Sequence, residues 1–200
     1  MQLRPLPFSG GVSYAIVFWI ACTVWVVPEL VAAKIKRSPN SSTARDQGSL
    51  HLIALLWLTG IAADIFLSLI LPQGGVVHTR TVFFIVGICL MVAGIAFRWY
   101  SAAVLGKYFT FDVSIQSGHA LIEQGPYRYI RHPSYTGALL TLVGFGLALG
   151  NWAGLLVSFL CLGSAYAYRI PIEEAALLTF LGEPYSQYVN RTWRLVPFLF

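Results

Sequence analysis

The sequence predicts an all-α integral membrane protein with about five transmembrane helices and a helical C-terminal region at the cytoplasmic face. Three observations carry this. Of 200 residues, 57% are hydrophobic and only 10% charged, with a mean hydropathy of +0.70, whereas charged residues make up roughly a quarter of an ordinary soluble domain. The apolar residues fall in runs long enough to cross a hydrocarbon core, which needs about 20 helical residues. Lys and Arg gather on alternate connections between those runs, the asymmetry that sets membrane orientation. The formal charge of +5 would suit a nucleic-acid binder if the basic residues formed one stripe, but they are scattered between apolar runs. No nucleic-acid partner is expected.

The first span is read at 12–33 and the second at 50–71, separated by the polar, basic, turn-rich segment KIKRSPNSSTARDQGS, a solvated loop. A turn over 72–80 leads into the third span, 81–105. The apolar run 137–168 is too long for one crossing, and Gly150-Asn151-Trp152 has turn character. It is read as a tight hairpin of two spans, 135–150 and 152–169. Five spans place Lys34, Lys36, Arg37, Arg45, Arg98, Lys107, Arg128, Arg131, Arg169, Arg191 and Arg194 on one face and only Arg4 and Arg80 on the other. The richer face is cytoplasmic, with the N-terminus outside. Only Arg4 precedes the first apolar run and no small-residue cleavage site follows it, so no removable signal peptide is expected. Pro171 is read as the start of a separate helix over 172–196, with Glu173 and Glu174 in its first turn and a break at Gly182 and Pro184. Leu177, Leu178, Leu181, Tyr185 and Val189 give it an apolar face that would lie over the mouth of the bundle.

Few polar residues lie inside the spans. Asp64 sits at mid-membrane depth, where an ionisable group is a functional candidate, but no second acid or base lies at helical spacing from it. A hydrogen bond to a neighbouring helix is the preferred reading, and Glu29 near a span end is read the same way. Cys22, Cys89 and Cys161 are far apart with no metal or disulfide spacing, so no metal site is expected. The run from Gly144 to Gly150 neither follows a strand nor precedes a soluble helix, and small residues there suit close helix packing better than a nucleotide loop.

The stretch from Gly118 to Tyr135, GHALIEQGPYRYIRHPSY, differs in kind. A topology signal needs only Lys and Arg, yet this stretch adds His119 and His132, and its Gly125-Pro126 and His132-Pro133 turns fix the backbone where main-chain groups could hold a ligand. Arg169, Glu173 and Glu174 follow at the end of the fifth span. They are readable as a snorkelling cation with a helical ion pair, or as groups that bind a zwitterion carrying an amine and a carboxylate.

GHALIEQGPYRYIRHPSYTG, followed some 30 residues later by RIPIEEAALLTFLGEPYSQY and preceded by FRWYSAAVLGKYFTFDVSIQ, resembles the isoprenylcysteine carboxyl methyltransferase family and its relatives among the phospholipid methyltransferases. The similarity covers about residues 97–197. It implies an S-adenosyl-L-methionine-dependent membrane methyltransferase with cytoplasmic cofactor-binding segments at 106–134 and 170–200. Carried over by position, the cofactor contacts are Gln116, His119, Ala120, Leu121, Ile122, Tyr127, His132, Pro133, Ser134 and Tyr135, with Glu174 beside them. Arg169 and Glu173 match positions near the acceptor and the reacting centre. The implied partner is a lipophilic small-molecule or lipidated acceptor that enters sideways from the surrounding membrane lipids. Three alternatives stay open: a phospholipid N-methyltransferase, an NADPH-dependent membrane reductase, and a non-enzymatic protein with a basic lipid-binding face.

Overall fold

A computed structural model describes residues 5–35, 48–71, 77–111 and 120–198. Among these residues a helical turn at Leu6–Ser9 is followed by six α-helices: α1 (Val12–Ile35), α2 (Ser49–Ile70), α3 (Val77–Leu105), α4 (Pro133–Leu149), α5 (Trp152–Leu181) and α6 (Glu183–Arg191). No strand is present among the described residues; a single parallel bridge joins Ile130 to Trp193. By length and composition α1, α2, α3 and α5 can each cross a membrane, while α4 is a shorter apolar helix. The expected segment 135–150 falls on α4, and most of its residues are buried. Helix α4 packs most closely on α3, and α2 on α5.

Small residues make that packing possible. A methyl group added at Gly144 of α4 would stand 2.5 Å from the carbonyl oxygen of Gly87, and one at Gly94 of α3 would stand 2.5 Å from the amide nitrogen of Thr141. The two backbones therefore meet directly, and the glycine-rich run of α4 serves close helix approach, as its composition suggests. Around this seam Phe18 and Trp25 of α1, Met91 of α3 and Leu142 and Phe145 of α4 form the core. Asp64 is fully buried and accepts a hydrogen bond from the Ser158 hydroxyl at 3.2 Å. It links α2 to α5, the structural role the sequence allowed.

The hairpin between α4 and α5 turns at Gly150, and Asn151 caps α5 by accepting from the Gly154 amide at 2.9 Å. Beyond it the expectation of a separate helix beginning at Pro171 is corrected. Helix α5 runs unbroken through Pro171 to Leu181. The proline removes only the hydrogen bond to the carbonyl of Ala167, and Arg169 and Ile170, both buried, are held by tertiary contacts that keep the helix on course. The break falls at Gly182, with Pro184 in the first turn of α6. The acids Glu173 and Glu174 consequently sit on a rigid extension of α5.

Replacing Gly144 with Val should force α3 and α4 apart and lower stability by about 1–3 kcal/mol, the usual cost of overpacking. Thermal melting in detergent or nanodiscs checks this, and an unchanged midpoint would contradict the close-packed seam.

Candidate active site

The polar stretch before α4 folds back on the C-terminal tail. Its Gly125–Arg128 segment forms a 3-10 turn that begins at Gly125 with φ of +57°, a conformation glycine adopts without strain. The chain then pairs with the tail: the Arg131 amide donates to the Trp193 carbonyl at 2.7 Å, the His132 amide to Arg194 at 3.0 Å and the Trp193 amide to Tyr129 at 2.9 Å. Side chains reinforce the pairing. Arg131 donates from Nε to Glu174 at 2.8 Å and from Nη1 to the carbonyls of Val189 and Thr192. Arg194 reaches the same carboxylate at 3.0 Å and His132 Nε2 lies 3.3 Å from it. Tyr188 of α6 donates to the Tyr127 carbonyl at 2.7 Å. Burial pushes the phenols of Tyr127 and Tyr188 above their ordinary range, so both are neutral.

Behind this lock lies a cavity of about 290 Å³. Its polar end is built around Arg169, which is 3% exposed. The guanidinium donates from Nε to the Tyr135 hydroxyl at 2.9 Å, from Nη1 to the Ser49 hydroxyl at 2.7 Å and from Nη2 to the Phe111 carbonyl. Tyr135 in turn donates to Glu173 at 2.6 Å, and its ring stacks between His132 and Tyr166, with centroids 5.5 and 4.3 Å away. On the wall between α1 and α3, Arg98 holds Glu29 through both carboxylate oxygens, with Nη2 to Oε2 at 2.7 Å. The same guanidinium donates to the Ser134 hydroxyl at 2.8 Å. The other end of the cavity is apolar, walled by Trp25, Leu30 and Ala33 of α1 and by Leu50, Ile53, Ala54 and Trp57 of α2. Trp25 and Trp57 meet edge to face at 5.5 Å and bridge the two helices.

Of the residues singled out in the sequence, Ala120, Leu121, Ile122, Tyr127, His132, Ser134, Tyr135, Arg169 and Glu173 all line this cavity. Pro133 is buried in the first turn of α4 and sets its start. Glu174 is not among the lining residues and faces the tail, tied to Arg131, Arg194 and His132. Gln116 and His119 lie outside the described residues. Sequence reading missed Glu29, Arg98, Ser49, Phe111 and Tyr166 as parts of the site. Arg98 had been counted only as a topology charge, and no spacing in the chain signals that Glu29, 69 residues away, pairs with it.

The sequence pattern of one family, phospholipid methyltransferase, matches residues 82–184, more than half of the chain. This chain belongs to the phospholipid methyltransferase family. The match takes in most of α3, the polar stretch, α4 and all of α5, so family membership rests on elements that build the polar end of the cavity. Similar curated proteins include a probable protein-S-isoprenylcysteine O-methyltransferase of Oryza sativa subsp. indica, 33% identical over 57% of this chain and 61% of its own length. The protein-S-isoprenylcysteine O-methyltransferase of Schizosaccharomyces pombe is 32% identical over 48% of this chain and 46% of its own. The chain thus spans about half to three fifths of the length of these relatives. A solved structure of the eukaryotic intramembrane Ras methyltransferase, isoprenylcysteine carboxyl methyltransferase, superposes with a TM-score of 0.66 at 21% identity, covering 97% of this chain and 70% of that one. That likeness shows a shared all-helical membrane fold.

Removing the Glu174 side chain by Glu174→Ala leaves Arg131 without its buried carboxylate. The loss should cost about 3 kcal/mol, in the range for breaking a buried ion pair, and should release the tail. Limited proteolysis would then cut between 189 and 198 faster than in wild type; equal cleavage would contradict the lock.

Proposed function

We infer that the protein is an S-adenosyl-L-methionine-dependent methyltransferase acting on a lipid-tailed acceptor, with a carboxylate of the isoprenylcysteine kind as the acceptor class. The observation that carries this is one continuous cavity with a polar end built by family motifs and an apolar end between α1 and α2. Its polar end suits the donor. Ala120, Leu121 and Ile122 line it as a segment outside any helix, where main-chain N–H and C=O groups suit an adenine edge or an amino-acid moiety. Tyr127 and Tyr166 line it with aromatic rings, and the Glu173 carboxylate supplies negative charge that favours a cation. Gln116 and His119 complete the donor contacts that the family resemblance implies.

S-adenosyl-L-methionine supplies an electrophilic methyl group on a sulfonium. What the chain must do is position the acceptor, hold its charge and exclude water. A carboxylate is ionised at neutral pH and needs no general base. It needs a cation beside it, and the wall offers Arg98 and Arg169, with Tyr135 holding Arg169 and Glu173 in register. An acceptor with a long apolar tail would lay that tail between Trp25, Ile53 and Trp57, within reach of the bilayer. The Lys and Arg distribution supports a cytoplasmic polar end and C-terminus.

The test is labelled-methyl transfer in nanodiscs, offering farnesylcysteine analogues and phospholipids together, with mass analysis of the product. A carboxyl methyl ester is expected. N-methylated headgroups as the sole product would replace the carboxylate by an amine acceptor, and no transfer would overturn the reading. Glu173→Gln should lower kcat/KM by about tenfold or more while S-adenosylhomocysteine still raises the melting temperature. Unchanged transfer would remove Glu173 from the reaction.

A further inference from the structure

We propose that Glu29 is a resident stand-in for the acceptor's carboxylate, occupying the face of Arg98 that an incoming carboxylate must take. This rests on the reading above, that the acceptor is a lipid-tailed carboxylate. Glu29 meets Arg98 through both oxygens in the forked geometry that a free carboxylate would use. The pair sits where the apolar end of the cavity meets the polar end: Leu30 and Trp25 lie on one side, Ser134 and Tyr135 on the other. A molecule with its tail between α1 and α2 would bring its polar terminus to this point. The Arg98 side chain is 10% exposed and that of Glu29 15%, so the pair is largely withdrawn from water yet borders the cavity. Arg169, the other arginine on the wall, is committed to Tyr135, Ser49 and the Phe111 carbonyl. Those contacts join three segments of the wall itself, whereas Glu29 belongs to the last two turns of α1.

A proline sets those turns off from the rest of α1. Pro28 lies inside the helix and removes the hydrogen bond to the Val24 carbonyl, the usual cause of a bend. Upstream, Phe18, Ala21 and Trp25 are buried; downstream only Ala32 is. Among the described residues, the tie of the Glu29 carboxylate to Arg98 is thus the main hold on the last two turns of α1. When an acceptor carboxylate replaces Glu29, those turns are released and the space between α1 and α2 can widen around the tail. Acceptors without a negative charge cannot make the exchange, so Glu29 selects for carboxylates at the cost of their affinity.

The test uses full-length protein in nanodiscs with N-acetyl-S-farnesylcysteine as the acceptor probe. Glu29→Gln leaves Arg98 a neutral, weaker occupant, and the apparent KM for the probe should fall about tenfold, the scale of one charge-assisted contact. Glu29→Asp keeps the charge and should keep a high KM. A wild type that methylates the probe while folded Glu29→Gln shows an equal or higher KM overturns the role of Glu29 alone. A wild type that methylates only amine headgroups overturns the reading of the acceptor and the stand-in with it. Hydrogen exchange on the wild type decides the matter even if Glu29→Gln does not fold. With S-adenosylhomocysteine present, the probe should speed amide exchange over residues 29–35 while its carboxamide does not, and equal exchange with both overturns the proposal.

Discussion

A guanidinium buried from water must find acceptors for its N–H groups, because leaving them unpaired costs more than the fold can spare. Arg169 finds them on Tyr135 of α4, Ser49 at the start of α2 and the Phe111 carbonyl after α3. One side chain on α5 thereby fixes three other segments around the polar end of the cavity. Its tie to Tyr135 also positions Glu173 and holds the Tyr135 ring in the stack with Tyr166 and His132. The unbroken course of α5 through Pro171 makes this possible, since a helix restarting at 171 would give Arg169 and Glu173 no fixed relation.

The remaining elements serve that arrangement. Glycine contacts between α3 and α4 bring the backbones together, so that Arg98 near the end of α3 reaches Ser134 at the start of α4. The tail closes the polar end through main-chain pairing and the Glu174 ion pairs. A membrane protein gains little from apolar burial between helices, because lipid is as apolar as leucine; small residues and polar ties carry the specificity instead. Asp64 with Ser158 applies the same logic between α2 and α5.

Much of this was legible in the chain. Long apolar runs marked the helices, Gly150-Asn151 marked the hairpin, and the density of His, Tyr, Pro and Arg before α4 marked the wall of the cavity. What could not be read depends on distance in sequence. Glu29 and Arg98 look like ordinary charges near helix ends, and only the packing of α1 against α3 makes them a pair. Ser49 carries no signal at all until Arg169 reaches it. Pro171 misled because local chemistry favours a helix start at proline, and the packing around Arg169 and Ile170 overrides that preference. Glu174 was placed beside the right elements, but helical geometry turns it from the cavity wall toward the tail while its neighbour Glu173 faces inward.

We infer that one cavity takes a methyl donor at its polar end and a lipid-tailed acceptor at its apolar end, side by side. Titration of the nanodisc-embedded protein with S-adenosylhomocysteine, alone and with saturating N-acetyl-S-farnesylcysteine, tests this most directly. Simultaneous binding is expected, with the nucleoside's Kd unchanged or tightened by the lipid analogue. Competitive displacement of one by the other, or no binding of S-adenosylhomocysteine at all, would contradict it.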